Sequence, residues 1–331
     1  MSIIAPNDDD LAIDEIKKLG AQVYNIPSLG EGILSKLRVI FLMNYYVLKE
    51  RRRNSVFICH FLITFIMIFP SLLPFNKKCI VYTEGLGSLF SKDTLLTKLL
   101  KHLIGKPSIV RLFCNSNERD KIGKPGDIVT GGIGVDLKNT NSNFAGLHSD
   151  GYFRLLYVGR LIEDKGITDA INVLRILLNN GRRVKLNIVG DIYPSNPSSF
   201  SVDDILNYKN EFGDRINFVG YSDNVDEWYS QSNILLLPSK REGFPVCVME
   251  ASVYGIPTFG YLVPGMMDAV VKDVNGCLVE YSNVEALSAA VDEYLDLDKL
   301  RFVSERAKNH ASKNFCQERK AENIVTLLCN I

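Results

Sequence analysis

The 331-residue sequence predicts an α/β protein made of two doubly wound, Rossmann-like domains, and three observations lead there. Short continuous apolar runs such as Phe153 to Val158 and Asn233 to Pro238 have the length of strands buried on both faces. They alternate with segments of helical period, as in parallel sheets, and glycine-containing polar loops follow their ends. The chain length suits two cores of ordinary domain size better than one.

Composition narrows the function classes. A hydrophobic fraction of 46% with 23% charged residues is globular, and 38 acidic against 38 basic residues argue against nucleic acid as the main partner. The seven cysteines (Cys59, Cys79, Cys114, Cys247, Cys277, Cys316 and Cys329) are scattered and without a Cys-x-x-Cys pair, which fits reduced thiols and no zinc site. The opening Met-Ser-Ile-Ile-Ala-Pro shows no secretory signal, so a cytoplasmic location is expected.

In the first half, Ser2 to Ala5 ends a strand, Leu11 to Leu19 is a helix stopped by Gly20, and Ala21 to Ile26 is a second strand. Asp8-Asp9-Asp10 precedes that helix; acidic residues there favour the helix dipole, and this reading is preferred to a metal site. Leu34 to Glu50 is an amphipathic helix, and Arg51-Arg52-Arg53 after it either opposes the helix dipole at its solvated end or touches anionic lipid. Val56 to Phe75 is apolar but holds His60, Thr64, Pro70, Ser71 and Pro74; it reads as a buried strand to His60 and a short helix ending near Phe69, with a membrane-inserted segment as the alternative. Cys79 to Thr83 is a strand whose loop, Glu84-Gly85-Leu86-Gly87, lets backbone approach a ligand or simply turns. Ile109 to Cys114 is a further strand, followed by a polar loop or short helix over Asn115 to Asp120. Ile128 to Asp136 carries three glycines, no helix follows to complete a phosphate loop, and a hinge is the better reading, with Lys138 to Gly151 as linker.

In the second half the predicted strands are Phe153 to Val158, Val184 to Val189, Ile216 to Val219, Thr258 to Tyr261 and a strand ending at Val279. Helices are expected over Ile167 to Asn179, Asp203 to Phe212 and most of the remainder. Arg160 and Lys165 share one loop with Gly159 at the carboxyl end of a strand, where doubly wound sheets bind ligands, and two cations there can clamp a diphosphate. The chain is organised around Pro238 to Gly255. The strand Ile234 to Leu237 ends in a loop with Glu242, Gly243 and Phe244, Pro245 opens a helix, and Glu250 lies inside that helix. A helix start of this kind offers amides to an anion, and the neighbouring carboxylates accept hydrogen bonds from hydroxyls. The ligand implied carries phosphate and several hydroxyl groups, as a nucleotide sugar does.

The Glu-Gly-Phe-Pro pattern with its second glutamate, together with Tyr157-Val-Gly-Arg-Leu-Ile-Glu-Asp-Lys-Gly166, resembles retaining nucleotide-sugar glycosyltransferases of family 4, the group 1 glycosyl transferases. Within them it resembles the branch that builds bacterial capsule, O-antigen and lipopolysaccharide. The resemblance covers most of Gly151 to Asn314. It implies the GT-B fold, two Rossmann-like domains facing across a cleft: residues 1–145 on the acceptor side, residues 146–313 binding the donor, and residues 314–331 as a helix returning to the first domain. Family members usually begin with an earlier strand and helix, so the first domain is expected to be shortened.

The resemblance also assigns roles. Arg160 and Lys165 would hold the pyrophosphate and, with Glu242, carry catalysis. Glu242 would bind sugar hydroxyls and Glu250 the ribose, with Gly159, Gly190, Gly243, Phe244 and Pro245 around the donor and the turns at Gly190 and Gly220 around the base. Glu84, Gly85, Gly87 and Asp268 would face the sugar or acceptor. Relatives often have His, Thr or Ser at the place of Glu84, and Gly-x-x-Glu with a preceding Arg at the corner where Met267 and Asp268 stand. The implied reaction is metal-independent and cofactor-free. It moves a sugar from a nucleoside diphosphate sugar, the co-substrate, to a polyprenyl-pyrophosphate-linked glycan at the inner membrane face through a same-face transition state. Two alternatives remain open at this point: a noncatalytic subunit, and a sugar-nucleotide epimerase of the same fold.

Overall fold

The structure is a computed structural model, and it describes residues 1–6, 10–27, 32–51, 55–72, 79–86, 94–106, 108–137, 146–147 and 149–330. Asp8, Asp9, Arg52, Arg53, Pro74, Phe75, Gly87 and the linker stretch 138–145 lie outside the described residues. Two compact units emerge: Met1–Phe113 with Glu118–Ile128, and Cys114–Asn117 with Val129–Asn330.

The first unit runs β1 (Ser2–Pro6), α1 (Asp10–Lys18), β2 (Gln22–Ile26), α2 (Ile33–Glu50), β3 (Phe57–His60), α3 (Leu62–Leu72), β4 (Cys79–Thr83), α4 (Leu95–Ile104), β5 (Ile109–Phe113), and most of α5 (Ser116–Ile122), whose first two residues belong to the second unit, with β6 (Ile128–Val129) at the boundary. β1 and β2 pair in parallel as a two-stranded sheet, and a separate four-stranded sheet has the order β3-β4-β5-β6. In β4 every residue is buried, as befits a strand with neighbours on both sides. β3 is an edge strand of its sheet: Cys59 is buried while Ile58 and His60 are exposed, which corrects the expectation of a strand buried throughout.

Three elements of this unit show how local sequence sets local structure. α3 buries Leu62, Phe65, Ile68 and Leu72 at helical spacing and runs past Phe69, with Pro70 in its last turn. Among the described residues no helix is long and apolar enough to cross a membrane. α2 buries Val39, Met43 and Val47 and packs on α3, while Leu34, Leu37, Phe41, Tyr45 and Leu48 stand exposed. α4 went unread in the sequence; its signal is Thr94-x-x-Thr97, a reciprocal cap in which the Thr97 N–H donates to Thr94 Oγ1 at 3.2 Å and the Thr94 N–H to Thr97 Oγ1 at 2.9 Å. On β5, the Arg111 guanidinium grips Asp127 with two hydrogen bonds of 2.7 Å.

The second unit runs β7 (Phe153–Val158), α6 (Ile167–Asn179), β8 (Val184–Val189), α7 (Val202–Phe212), β9 (Ile216–Gly220), α8 (Val225–Ser230), β10 (Ile234–Leu237), α9 (Val246–Val253), β11 (Thr258–Tyr261), α10 (Met266–Ala269), β12 (Gly276–Val279), α11 (Val284–Tyr294), α12 (Leu297–Asn314) and α13 (Gln317–Asn330). Its parallel sheet has the order β12-β11-β10-β7-β8-β9, and Leu155, Leu156 and Ile234 to Leu237 form its buried centre. The chain winds outward from β7 in one direction and from β10 in the other, so the switch point of this doubly wound sheet lies between those two strands. The fold is GT-B, with parallel sheets in two Rossmann-like units.

Candidate functional site

At the switch point the loops that follow β7 and β10 leave adjacent strands, and they are interlocked. Gly166 adopts φ 74°, and a Cβ there would lie 2.0 Å from the Pro238 carbonyl oxygen, so only glycine lets the first loop lie against the second. The Lys240 N–H donates to the Asp164 carbonyl at 3.0 Å. Across this contact Lys165 Nζ donates to Glu242 Oε1 at 2.7 Å and Oε2 at 2.8 Å, with the carboxylate only 8% exposed. Two residues expected to act on the same ligand are thus each other's partners.

The ends of β7, β8 and β9 meet with no side chain between them. A Cβ on Gly190 would fall 1.9 Å from the Gly159 carbonyl oxygen, and the Gly190 N–H donates to the Gly220 carbonyl at 2.9 Å. Arg160 is exposed beside this glycine floor, its guanidinium 5.0 Å from the centre of the Tyr193 ring. The two cations of the β7 loop therefore have different partners, Lys165 the β10 loop and Arg160 the β8 loop.

The Glu242-Gly243-Phe244 turn is held from several directions. The buried Asn115 donates its amide to the Gly243 carbonyl at 2.7 Å. A Cβ on Gly265 would come within 2.4 Å of the Gly243 oxygen and 2.5 Å of the Glu242 oxygen. The Phe244 ring lies edge-on to Phe315, with centroids 5.9 Å apart, and a Cβ on Gly132 would meet it at 2.7 Å. Lys320 Nζ donates to the carbonyls of Thr130 and Gly131 at 2.6 Å each and sits 5.9 Å from the Phe244 ring; burial pushes its pKa down to about 8.

Pro245 is the residue before α9 rather than its first residue. Its ψ of 123° is extended and no side chain caps the helix; of the first-turn amides that of Val248 donates to the Pro245 carbonyl at 3.2 Å. One turn into α9, Glu250 accepts a 2.8 Å hydrogen bond from the Tyr229 hydroxyl. Burial raises the Glu250 pKa and the charge of Asp226 adds to the effect, while the tyrosine bond opposes it. A cavity of about 420 Å³ opens here, lined by Ile133, Asp136, Asp226, Val246, Glu250 and Tyr254 among others. The half-buried Cys247 thiol is pushed up by burial and then by the charges of Glu242 and Glu250, which flank it.

Of the other expected residues Glu84 and Gly85 lie in the first unit, whereas Asp268 follows Gly265 in α10, beside the Glu242 turn. Glu84 follows β4 and pairs with His60 Nδ1 at 2.9 Å, and Gly85 takes φ 121°. Asp268 accepts from the Ser116 N–H at 3.0 Å and from its hydroxyl at 2.9 Å. Among the described residues no three His, Cys, Asp or Glu side chains gather as a metal site. Sequence reasoning passed over Tyr229, Asn115 and Lys320. Asn115, directly after a strand, was legible as a loop residue, but nothing local marks Tyr229 or Lys320.

Comparison with known proteins shows what the chain is similar to. The chain is 29% identical over 149 residues to the capsular polysaccharide biosynthesis glycosyltransferase CapM of Staphylococcus aureus, covering 45% of this chain and 38% of that protein. It is 29% identical over 146 residues to the amylovoran biosynthesis glycosyltransferase AmsK of Erwinia amylovora, covering 41% of this chain and 34% of the other. The matches thus span less than half the length of these curated relatives. The crystal structure of Anabaena Alr3699/HepE in complex with UDP superposes with a TM-score of 0.77 at 14% identity, covering 100% of this chain and 92% of that one. The profile of "Glycosyl transferases group 1" matches residues 139–311, more than half of the sequence, and on that match the chain belongs to this family.

Proposed function

We propose that this chain is a retaining, family 4 glycosyltransferase that moves a sugar from a nucleoside diphosphate sugar to a lipid-linked glycan during synthesis of capsule or O-antigen. The observation that carries this reading is the Lys165–Glu242 pair at the switch point, in the loops beside the uncapped start of α9. CapM and AmsK are named for capsular and amylovoran biosynthesis, and HepE was solved with UDP, which supports the polysaccharide setting and the nucleotide.

In this reading the pyrophosphate lies against the amides of α9, with Lys165 and Arg160 stabilising the charge that develops as the nucleotide leaves. This field does the work a divalent cation does in other transferases, so the reaction is metal-independent. Lys165 divides its ammonium between phosphate and Glu242, and Glu242 accepts hydrogen bonds from sugar hydroxyls. Glu250, steadied by Tyr229, accepts the ribose hydroxyls beside the cavity. No nucleophile is assigned; the incoming hydroxyl attacks on the face that the diphosphate vacates. Residues 1–145 take the acceptor and residues 146–313 the donor, and α13 (Gln317–Asn330) follows them. The exposed apolar side chains of α2, with Arg38 and Lys49 exposed on the same helix, suit a peripheral position at an anionic membrane face.

The test is binding of UDP- and GDP-sugars to the wild type, Lys165→Ala and Glu250→Ala. Binding by the wild type that weakens in both variants supports the donor site and names the nucleotide. A folded wild type that binds neither class turns the reading to a noncatalytic subunit, which the engagement of Glu84 by His60 and of Asp268 by Ser116 would suit. A changed sugar without acceptor would identify an epimerase.

A further inference from the structure

Doubly wound sheets bind their ligands beyond the carboxyl ends of the strands, yet the second unit also gathers charge where its strands begin. Arg154 of β7 pairs in register with Lys185 of β8, so both side chains leave the same face. Leu186 pairs with Ile216, which brings Arg215 into line beside Lys185 at the entrance to β9. Arg183 stands two residues before Lys185, and Tyr152 two before Arg154. The centre of the Tyr152 ring lies 4.8 Å from the Arg183 guanidinium carbon, 4.9 Å from Lys185 Nζ and 4.3 Å from the Arg215 guanidinium carbon. Three cations thus converge on one aromatic ring.

Two carboxylates compensate this charge in part. Asp150 Oδ2 accepts from Arg154 Nη2 at 2.6 Å and lies 3.5 Å from Lys185 Nζ. Asp214 lies 3.1 Å from Lys185 Nζ and 3.3 Å from Arg215 Nε. The Arg154 guanidinium holds the Asp150 carboxyl down at about 2, with the Tyr152 N–H and the charge of Lys185 adding to it. Arg183 donates to the Asp150 carbonyl at 2.7 Å rather than to a carboxylate, and Arg154 Nη1 is buried with no hydrogen-bond partner among the described residues. Four cations facing two carboxylates leave two positive charges in excess and guanidinium donors to spare.

We propose that the start of this sheet is an oxyanion site, in which Arg183, Lys185 and Arg215 hold the dianionic phosphoryl group of a small solute beside the Tyr152 ring. A dianion matches the excess charge, and guanidinium groups match its oxygens. With Lys185 22% and Arg215 32% exposed, the donors are recessed, so a small solute reaches them where a flat lipid surface does not. The six residues of β7 separate this site from the Arg160 loop by about 20 Å, which makes it a second site on the same unit.

The proposal does not rest on glycosyl transfer, and its probe is inorganic phosphate. Equilibrium dialysis of labelled phosphate, at a mildly alkaline pH where it is dianionic, compares the whole wild-type chain with Lys165→Ala, with the double variant Lys185→Gln and Arg215→Gln, and with Asp214→Asn. The expected result is binding by the wild type that persists in Lys165→Ala and weakens at least about tenfold in the double variant. Asp214→Asn, which removes an exposed carboxylate competing for Lys185 and Arg215, should bind at least about threefold more tightly. No binding by the wild type, equal binding by all four proteins, or loss in Lys165→Ala overturns the proposal. Should the double variant fail to fold, Asp214→Asn decides alone, and an affinity no higher than that of the wild type overturns it. Sedimentation with phosphatidylcholine vesicles containing phosphatidic acid separates the sources of the phosphoryl group: attachment lost in the double variant, with no binding of free phosphate, overturns the assignment to a small solute.

Discussion

The ammonium of Lys165 lies 2.7 and 2.8 Å from the two oxygens of the Glu242 carboxylate, tying together loops that diverge from neighbouring strands. The pair shapes the protein before any ligand arrives, because the carboxylate is nearly out of water. Lys165→Met leaves that buried carboxylate unpaired and is expected to lower stability by about 1–3 kcal/mol, read from urea unfolding. Glu242→Gln, which buries a neutral amide instead, is expected to cost less. In a transfer assay both variants lose at least about a hundredfold in turnover if the pair works on the diphosphate. A Lys165→Met variant as stable as the wild type would show that the pair is not formed in solution.

Glu250 gives the second unit a pH signature. Its folded pKa lies above the ordinary glutamate value of about 4.3, so between the two the folded state holds more protons than the unfolded one. Its contribution is complete below about pH 4.3 and is lost as the pH rises through the folded pKa. Glu250→Gln removes this dependence. Urea midpoints measured from about pH 4 to about pH 8 should fall for the wild type relative to the variant, and parallel curves would refute the assignment.

Gly190 tests the glycine floor. With φ 137° and a Cβ position 1.9 Å from the Gly159 oxygen, Gly190→Ala forces the ends of β7 and β8 apart. A loss of about 3 kcal/mol or more is expected, since backbone strain and a clash add. Gly181→Ala is the control: φ is 75° but nothing lies within 4 Å, so only the backbone term applies. Equal unfolding midpoints for the two variants would refute the close approach.

In the first unit, the Arg111–Asp127 pair is nearly buried, with side chains 11% and 10% exposed. Burial alone would raise the Asp127 pKa, but the Arg111 guanidinium and the Lys124 N–H outweigh it and hold the carboxyl below its usual range. The stability it adds is present above about pH 3.9 and is lost as the pH falls through the lower folded value. Asp127→Ala leaves the guanidinium without its partner and is expected to cost about 3–5 kcal/mol at neutral pH, shrinking in acid. Thermal unfolding of the first unit reports it, and a cost independent of pH would argue against an ionic origin.

How much of this was legible in the sequence depends on how local each cause is. Continuous apolar runs fix strands, and β7, β8 and β11 fall where the pattern places them. Glycine before a helical period marks the loop of Lys165, and Glu-Gly-Phe-Pro marks the loop of Glu242, but their mutual salt bridge needed the adjacency of β7 and β10. α4 escaped because its cap is a threonine pair rather than the stronger Ser-x-x-Glu signal. β3 was read as buried because Phe57, Ile58 and Cys59 are all apolar; that its outer edge lacks a neighbour is a property of the sheet. Tyr229 and Lys320 act on residues 21 and 190 positions away, beyond any window of periodicity.

The contacts of the final helix have a consequence for synthesis. Val135 exchanges backbone hydrogen bonds with Phe315 and Gln317, and Lys320 reaches Thr130 and Gly131 across nearly two hundred residues. A ribosome delivers the segment that supports Phe244 after every strand of the parallel sheet. The nascent chain thus completes its sheet before it can brace the Glu-Gly-Phe-Pro turn, and that turn matures only once Lys320 has been added.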